Sequence, residues 1–117
     1  MKAGDWYYGT ATHMWRRYMN IRRHEQVNGQ KPDMSSADRT KYDVCEKALS
    51  RIAKEDRDIV VTCFSSNRDY IPYMVENYSL KKNIPVKVVW TVIYKANRIL
   101  MEELGLLDRK EEHDGYQ

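Results

Sequence analysis

The stretch Tyr78-Ser79-Leu80-Lys81-Lys82-Asn83-Ile84-Pro85-Val86-Lys87-Val88-Val89-Trp90-Thr91-Val92-Ile93-Tyr94-Lys95-Ala96-Asn97-Arg98-Ile99-Leu100-Met101-Glu102-Glu103-Leu104-Gly105 decides the fold. Val86, Val89, Ile93, Ala96, Leu100 and Leu104 recur at spacings of three and four, the period of one apolar helix face. Pro85 suits the first turn, where a helix leaves its N–H groups unbonded and a missing one costs nothing. Gly105 suits the position just past the end, where the backbone turns left-handed. The pattern predicts a helix of about five turns. Lys87, Thr91, Lys95 and Arg98 fall on its other face, with Trp90 and Tyr94 beside them.

The charge order on this helix opposes its dipole. Residues 79–98 hold five bases (Lys81, Lys82, Lys87, Lys95, Arg98) and no acid, whereas Glu102 and Glu103 stand in the last turn. A helix tuned only for its own stability carries acids first and bases last, at a few tenths of a kcal/mol per charge. Bases and aromatics on the leading turns, entered from a turn and a shorter helix, suit a helix presented to a polyanion such as the DNA major groove. A solvated basic face on an otherwise buried helix explains the same residues without a partner.

Working outward, the 117 residues with net charge +3 make one small domain. Charge is segregated: five bases against one acid in residues 1–24, near balance in 25–78, and six acids against two bases in 99–117. Two basic segments before an acidic tail suit nucleic-acid binding, though a net charge this small carries no argument alone. No apolar run is long enough to cross a membrane and no signal peptide opens the chain, so a cytoplasmic protein without membrane contact is expected. Cys45 and Cys63 lie among apolar residues and read as reduced core thiols.

Residues 5–24 read as a helix capped by Asp5, with Tyr8, Ala11, Trp15, Tyr18 and Arg22 on one stripe and Arg16, Arg17, Arg22 and Arg23 near its end. Asn28-Gly29 and Lys31-Pro32-Asp33 place residues 25–34 in a loop. Ser35 or Ser36 then caps a second helix reaching about Lys54, with Tyr42, Cys45, Leu49 and Ile52 inward. Glu55-Asp56-Arg57-Asp58 opens a third helix, whose apolar side is Ile59, Val60, Cys63 and Phe64. Val60-Val61-Thr62 has strand character but no partner strand. Residues 65–69 form a turn, and Asn67 or Asp69 caps a short helix through Asn77 that tolerates Pro72 in its first turn. Residues 78–84 then link to the long helix. The expected fold is all-α, a small domain of about five helices ending in a helix-turn-helix. The expected divisions are an N-terminal helix and loop over 1–34, a helical domain over 35–108 and an acidic flexible tail over 109–117.

Residues 46–104 resemble the fourth conserved region of bacterial sigma factors and the phage-type late-gene regulators built on the same module. The resemblance rests on the order of elements: Ala48-Leu49-Ser50-Arg51-Ile52, the acidic turn Glu55-Asp56-Arg57-Asp58, a helix with Ile59, Val60 and Phe64, a short helix from Tyr70 to Asn77, and a long helix entered through Ile84-Pro85-Val86. It implies a DNA-binding transcription regulator whose last helix enters the major groove, with double-stranded DNA as partner and RNA polymerase or a second copy as further partners. Three features depart from the family pattern. Pro72 stands in the short helix, Pro85 stands where Ser or Thr commonly caps, and the link from Tyr78 to Ile84 exceeds the usual three or four residues. No counterpart of the promoter-melting region is present, which leaves a regulator or a degenerate relative rather than a complete sigma factor.

On this reading Lys87, Trp90 and Thr91 face bases and Val88 touches a thymine methyl. Tyr94, Lys95 and Arg98 meet phosphates, and Lys81, Lys82 and Asn83 position the backbone. Five phosphate contacts imply a log–log salt slope of about −4.5. Trp90 serves equally as a packed indole.

Enzyme chemistry is not expected. His13, His24 and His113 are scattered, and no phosphate loop, metal-ligand spacing or nucleophile–base pair stands out. No cofactor is expected either. The rival reading is a helical protein–protein interaction or phage assembly protein without DNA binding. Nine Tyr, three Trp and six Met favour it, and the stripe Trp6, Tyr7, Met14 and Tyr18 is its candidate patch for a dimer or a polymerase subunit.

Overall fold

A computed structural model describes residues 5–66 and 70–109. The expected caps Asn67 and Asp69, and all of the tail beyond Arg109, lie outside the described residues. The fold is all-α. A 3-10 turn, Asp5–Tyr7, leads into α1 (Tyr8–Asn28), α2 (Ser36–Ser50), α3 (Lys54–Phe64), α4 (Ile71–Lys82) and α5 (Val86–Glu103). Among the described residues there is no strand, so Val60-Val61-Thr62 is helical.

The long helix predicted from the opening stretch is the centre of the domain. α5 packs against each of α1, α2, α3 and α4. Val89, Val92, Ile93, Ala96, Ile99, Leu100 and Met101 are buried along it. Gly105 stops it at φ 80°. The Gly105 N–H donates to Glu102 O at 3.0 Å and the Leu106 N–H to Met101 O at 2.9 Å, the paired bonds that satisfy the last carbonyls of a helix. Two terminal details differ from expectation. Pro85 is the residue before the first turn, at φ −57° and ψ 138°, because its extended backbone feeds the helix rather than joining it. Val86 belongs to the exposed first turn instead of the apolar face.

α1 supplies the other half of the core. Trp15 is fully buried, stacked on Phe64 of α3 with centroids 6.0 Å apart and edge-on to Tyr18 at the same distance. Truncating either Trp15 or Phe64 to Ala would cost about 3–5 kcal/mol, a large share of a small domain's stability. The buried stripe of α1 is Ala11, Met14, Trp15, Tyr18, Met19 and Ile21, continued by Tyr7 of the 3-10 turn before it. This corrects the patch proposed from sequence: Tyr7, Met14 and Tyr18 are core, and only Trp6 stays exposed.

α1 also runs four residues past its expected end, to Asn28, where Gly29 adopts φ 79° and its N–H donates to Glu25 O. Asn-Gly is thus a helix stop, and the four arginines lie in mid-helix. Arg17 pairs with Asp38 at 3.0 Å, and Arg23 donates to Ser65 O and Asn20 Oδ1.

α2 begins as expected, with Ser35 Oγ accepting from the Asp38 N–H at 3.1 Å. It ends at Ser50, short of Lys54. Arg57 of α3 reaches back and donates to Ile52 O and Ser50 O at 2.9 and 3.1 Å, so a side chain covers carbonyls that a longer helix would have bonded internally. α3 is fixed to α4 by Tyr78 Oη, which donates to Asp58 Oδ2 at 2.7 Å.

Candidate nucleic-acid interface

The link between α4 and α5 is the largest departure from the sequence reading. α4 does not stop at Asn77. It continues through Lys82, leaving only Asn83, Ile84 and Pro85 between the helices. Asn83 takes the left-handed conformation, φ 55° and ψ 49°, and is the sole non-glycine residue with positive φ among those described. Asn tolerates this region better than other side chains. The Asn83 and Ile84 N–H groups both donate to Ser79 O, and the Ser79 hydroxyl donates to Ile84 O. Ser79 therefore ties both sides of the turn. A three-residue turn lies within the length typical of helix-turn-helix units, so the expected long link is corrected.

This geometry moves Lys81 and Lys82 from a loop into the last turn of α4, where cations complement the helix dipole. Both side chains are exposed, and the Lys82 ammonium lies 5.9 Å from the Tyr78 ring centroid. Across the turn, Pro85, Val86, Lys87 and Val88 are all exposed, and burial begins only at Val89. The first turn of the central helix thus stands clear of the body.

Farther along, Thr91, Tyr94 and Lys95 continue the exposed stripe. The Thr91 hydroxyl donates to Lys87 O at 2.9 Å, which leaves its oxygen lone pairs outward. Trp90 is half-buried and stacks on Tyr94, with centroids 5.4 Å apart and planes at 23°. Tyr94 also lies near Tyr8 of α1, whose phenol is raised above its usual range, first by burial and in smaller part by Tyr94. The indole therefore stacks on Tyr94 of its own helix, whereas the alternative expected from sequence was packing against the first helix or a dimer partner.

Arg98 differs from its expected role. Its Nε donates to Glu102 Oε2 at 3.0 Å and its Nη2 to Asp108 O at 3.3 Å. The guanidinium binds the end of its own helix and is not held ready for a phosphate. An arginine four residues before a glutamate is a spacing that pairs on a helix, so the signal was present in the sequence. Asn97, next to it, is 1% exposed with no protein hydrogen-bond partner for either amide atom.

The structure brings together Lys81, Lys82, Asn83, Lys87, Val88, Thr91, Tyr94 and Lys95 around one turn and one helix face. It half-buries Trp90 and diverts Arg98. Two residues of this surface escaped the sequence reading. Ser79 builds the turn, and Leu80, next to Lys81 in sequence, is 81% exposed. An apolar residue off the i, i+3, i+4 stripe of Ile71, Val75 and Tyr78 was the available sign.

Among the described residues no helix is long and apolar enough to cross a membrane, and no group of three His, Cys, Asp or Glu side chains gathers as a metal site would. No protein-family model, curated protein or solved structure matches the chain.

Proposed function

We propose that this chain is a DNA-binding transcription regulator of the helix-turn-helix kind, similar in plan to the fourth region of sigma factors, with α5 as the groove-entering helix. The observation that carries the reading is the protruding first turn of α5, with Lys87 exposed on it and Lys81 and Lys82 across the three-residue turn that joins it to α4. A helix about 10–12 Å across fills the major groove, and an element that must enter it needs its leading turn free of its own core. Lys87 and Thr91 face base edges in this reading, and Val88 supplies apolar contact for a thymine methyl. Lys81, Lys82 and Lys95 contact phosphates, with Asn83 setting the turn. Tyr94, braced by Trp90, borders the contact.

Titrating labelled protein with a mixed-sequence duplex while following backbone amide shifts tests the assignment. Shifts concentrated in residues 79–95 support it. Shifts confined to α1 or α2, or no shifts at low salt, overturn it.

A second reading is favoured by Leu80, Val86 and Val88, apolar side chains exposed beside the same lysines. It makes the turn a docking surface for a protein, RNA polymerase or a second copy among the candidates. An apolar interface would hold at high salt, whereas phosphate contacts would not.

A further inference from the structure

We propose that the outer face of α1 holds a second site, separate from α5, that binds a phosphate-bearing ligand of about mononucleotide size. The residues are His13, Arg16, Arg17, Asn20 and His24, facing the segment that returns through Pro32, Asp33 and Met34 to start α2. Positions 13, 17, 20 and 24 step by four, three and four, so their side chains share one helix face. Three turns of α1 therefore present two imidazoles, a guanidinium and an amide in a row, with Arg16 alongside. Gly29 ends α1 in a left-handed turn and sends the chain back over this face. The returning strap is held where His24 Nδ1 lies 3.3 Å from Gln30 O, and where Lys31 pairs with Glu25 at 3.6 Å.

The groove between helix and strap is open to solvent on one side and offers about 580 Å³, within the range of small-ligand sites. Two arginines and two imidazoles face a single acid, Asp33, and Ile21 and Met34 give the lining an apolar portion. Asp38 lies outside the lining and pairs with Arg17 at 3.0 Å, an anchor that fixes one edge of the guanidinium and leaves its remaining N–H groups to the groove. Planar guanidinium N–H groups match phosphate oxygens in pairs, and imidazole rings stack on nucleobases as well as donating to phosphate. A phosphate with an attached flat group fits polar and apolar linings together better than a bare anion does. From sequence His13 and His24 looked scattered. Eleven residues apart is close to three helical turns, and that spacing was the missed sign.

The phosphate could come from a free mononucleotide or from a nucleic-acid strand, and the test separates the two. Adenosine monophosphate, inorganic phosphate and a short DNA duplex would each be titrated into the full chain at matched ionic strength, following amide shifts and heats of binding. The variants are His13→Gln, the His13→Gln/His24→Gln pair, and Lys87→Ala/Lys95→Ala. His13 is exposed, so its replacement leaves the fold intact by circular dichroism even if the strap loosens in the double variant. The expected result is millimolar or tighter binding of the mononucleotide, with shifts in residues 13–24 and 30–34. That binding should weaken about tenfold in His13→Gln, the size of one lost charge-assisted contact, and stay unchanged in the α5 variant. Duplex shifts in the same residues that survive the α5 variant would instead assign a strand phosphate to the groove. Groove shifts absent for every ligand, equal for chloride at the same ionic strength, or abolished by the α5 variant would overturn the proposal. The mononucleotide arm reads the groove whether or not α5 itself binds DNA.

Discussion

Arg51 Nη2 lies 2.6 Å from Glu102 Oε1, and Arg51 Nη1 lies 2.9 Å from Glu103 Oε2. One guanidinium at the end of α2 thus holds both acids in the last turn of α5. Those acids sit where the helix dipole is unfavourable to them, and the Glu102 side chain is only 3% exposed. Arg98 approaches Glu102 from the other side. The acids that from sequence only opposed the helix dipole are part of the clamp between α2 and α5.

Removing one partner of a buried pair leaves an uncompensated charge, which costs about 3–5 kcal/mol when nothing else remains. Because Arg98 still faces Glu102, we expect Arg51→Ala to lower the unfolding free energy by about 2–3 kcal/mol. Urea denaturation checks this. The double variant Arg51→Met/Glu102→Leu should recover a good part of the loss, since an apolar pair needs no compensation.

Asn83 offers a test of the turn itself. Its left-handed backbone costs a side chain with a Cβ about 1–2 kcal/mol relative to glycine, less for Asn than for others. We expect Asn83→Ala to destabilise by about 1 kcal/mol and Asn83→Gly to be neutral or stabilising. Asn83→Val should be the worst of the three. Equal midpoints for all three variants would contradict the turn geometry.

Cys45 and Cys63 are fully enclosed, and burial pushes their thiols up to about 12 and about 11. The reactive species is the thiolate, so both should resist a disulfide reagent at neutral pH until the domain opens. The expected labelling is slow in buffer and fast in denaturant. Rapid labelling of the native protein would contradict the packing.

Alkaline pH should destabilise the fold in a defined window. Burial, with Glu46 as its neighbour, raises the Tyr42 phenol to about 12, and burial with the bond to Asp58 does the same for Tyr78. Tyr18 is raised further, first by burial and then by its bond to Glu46. In the unfolded chain these groups lose protons from about 9 for thiols and about 10 for phenols. Above those values the unfolded state holds fewer protons than the folded one, so stability falls as pH rises. The contribution is complete below about pH 9 and is lost between about 9 and 12. Denaturation midpoints at about pH 8, below that window, and at about pH 9.5 and about pH 11, within it, should decline in that order.

The sequence disclosed the helices better than their ends. Repeats of three and four found α5 and the core side of α2 and α3, and Ser35 announced a cap that the structure contains. The periodicity of α1 admitted two readings, because Tyr7, Met14 and Tyr18 also keep the spacing; packing against Phe64 and Tyr42 decides which residues go inward. Ser79, Lys81, Lys82 and Asn83 look like a linker by composition. Only the left-handed stop at Asn83, satisfied by the Ser79 carbonyl, makes them the end of a helix. Asn97 was invisible as a core residue, because its polarity argues against the position its spacing assigns. Arg98 was readable as a partner of Glu102, but charge alone suggested a phosphate.

The measurement closest to the central claim is DNA affinity across a salt series, comparing the wild type with Lys87→Ala/Lys95→Ala. With Arg98 held by Glu102, three lysines (Lys81, Lys82 and Lys95) remain for phosphates, and the log–log slope should be about −2.7 rather than about −4.5. The double variant should reduce its magnitude by about 0.9, the share of Lys95, while Lys87→Ala lowers affinity through the lost base contact. Binding that ignores salt, or a slope unchanged in the variant, would contradict a groove-entering α5.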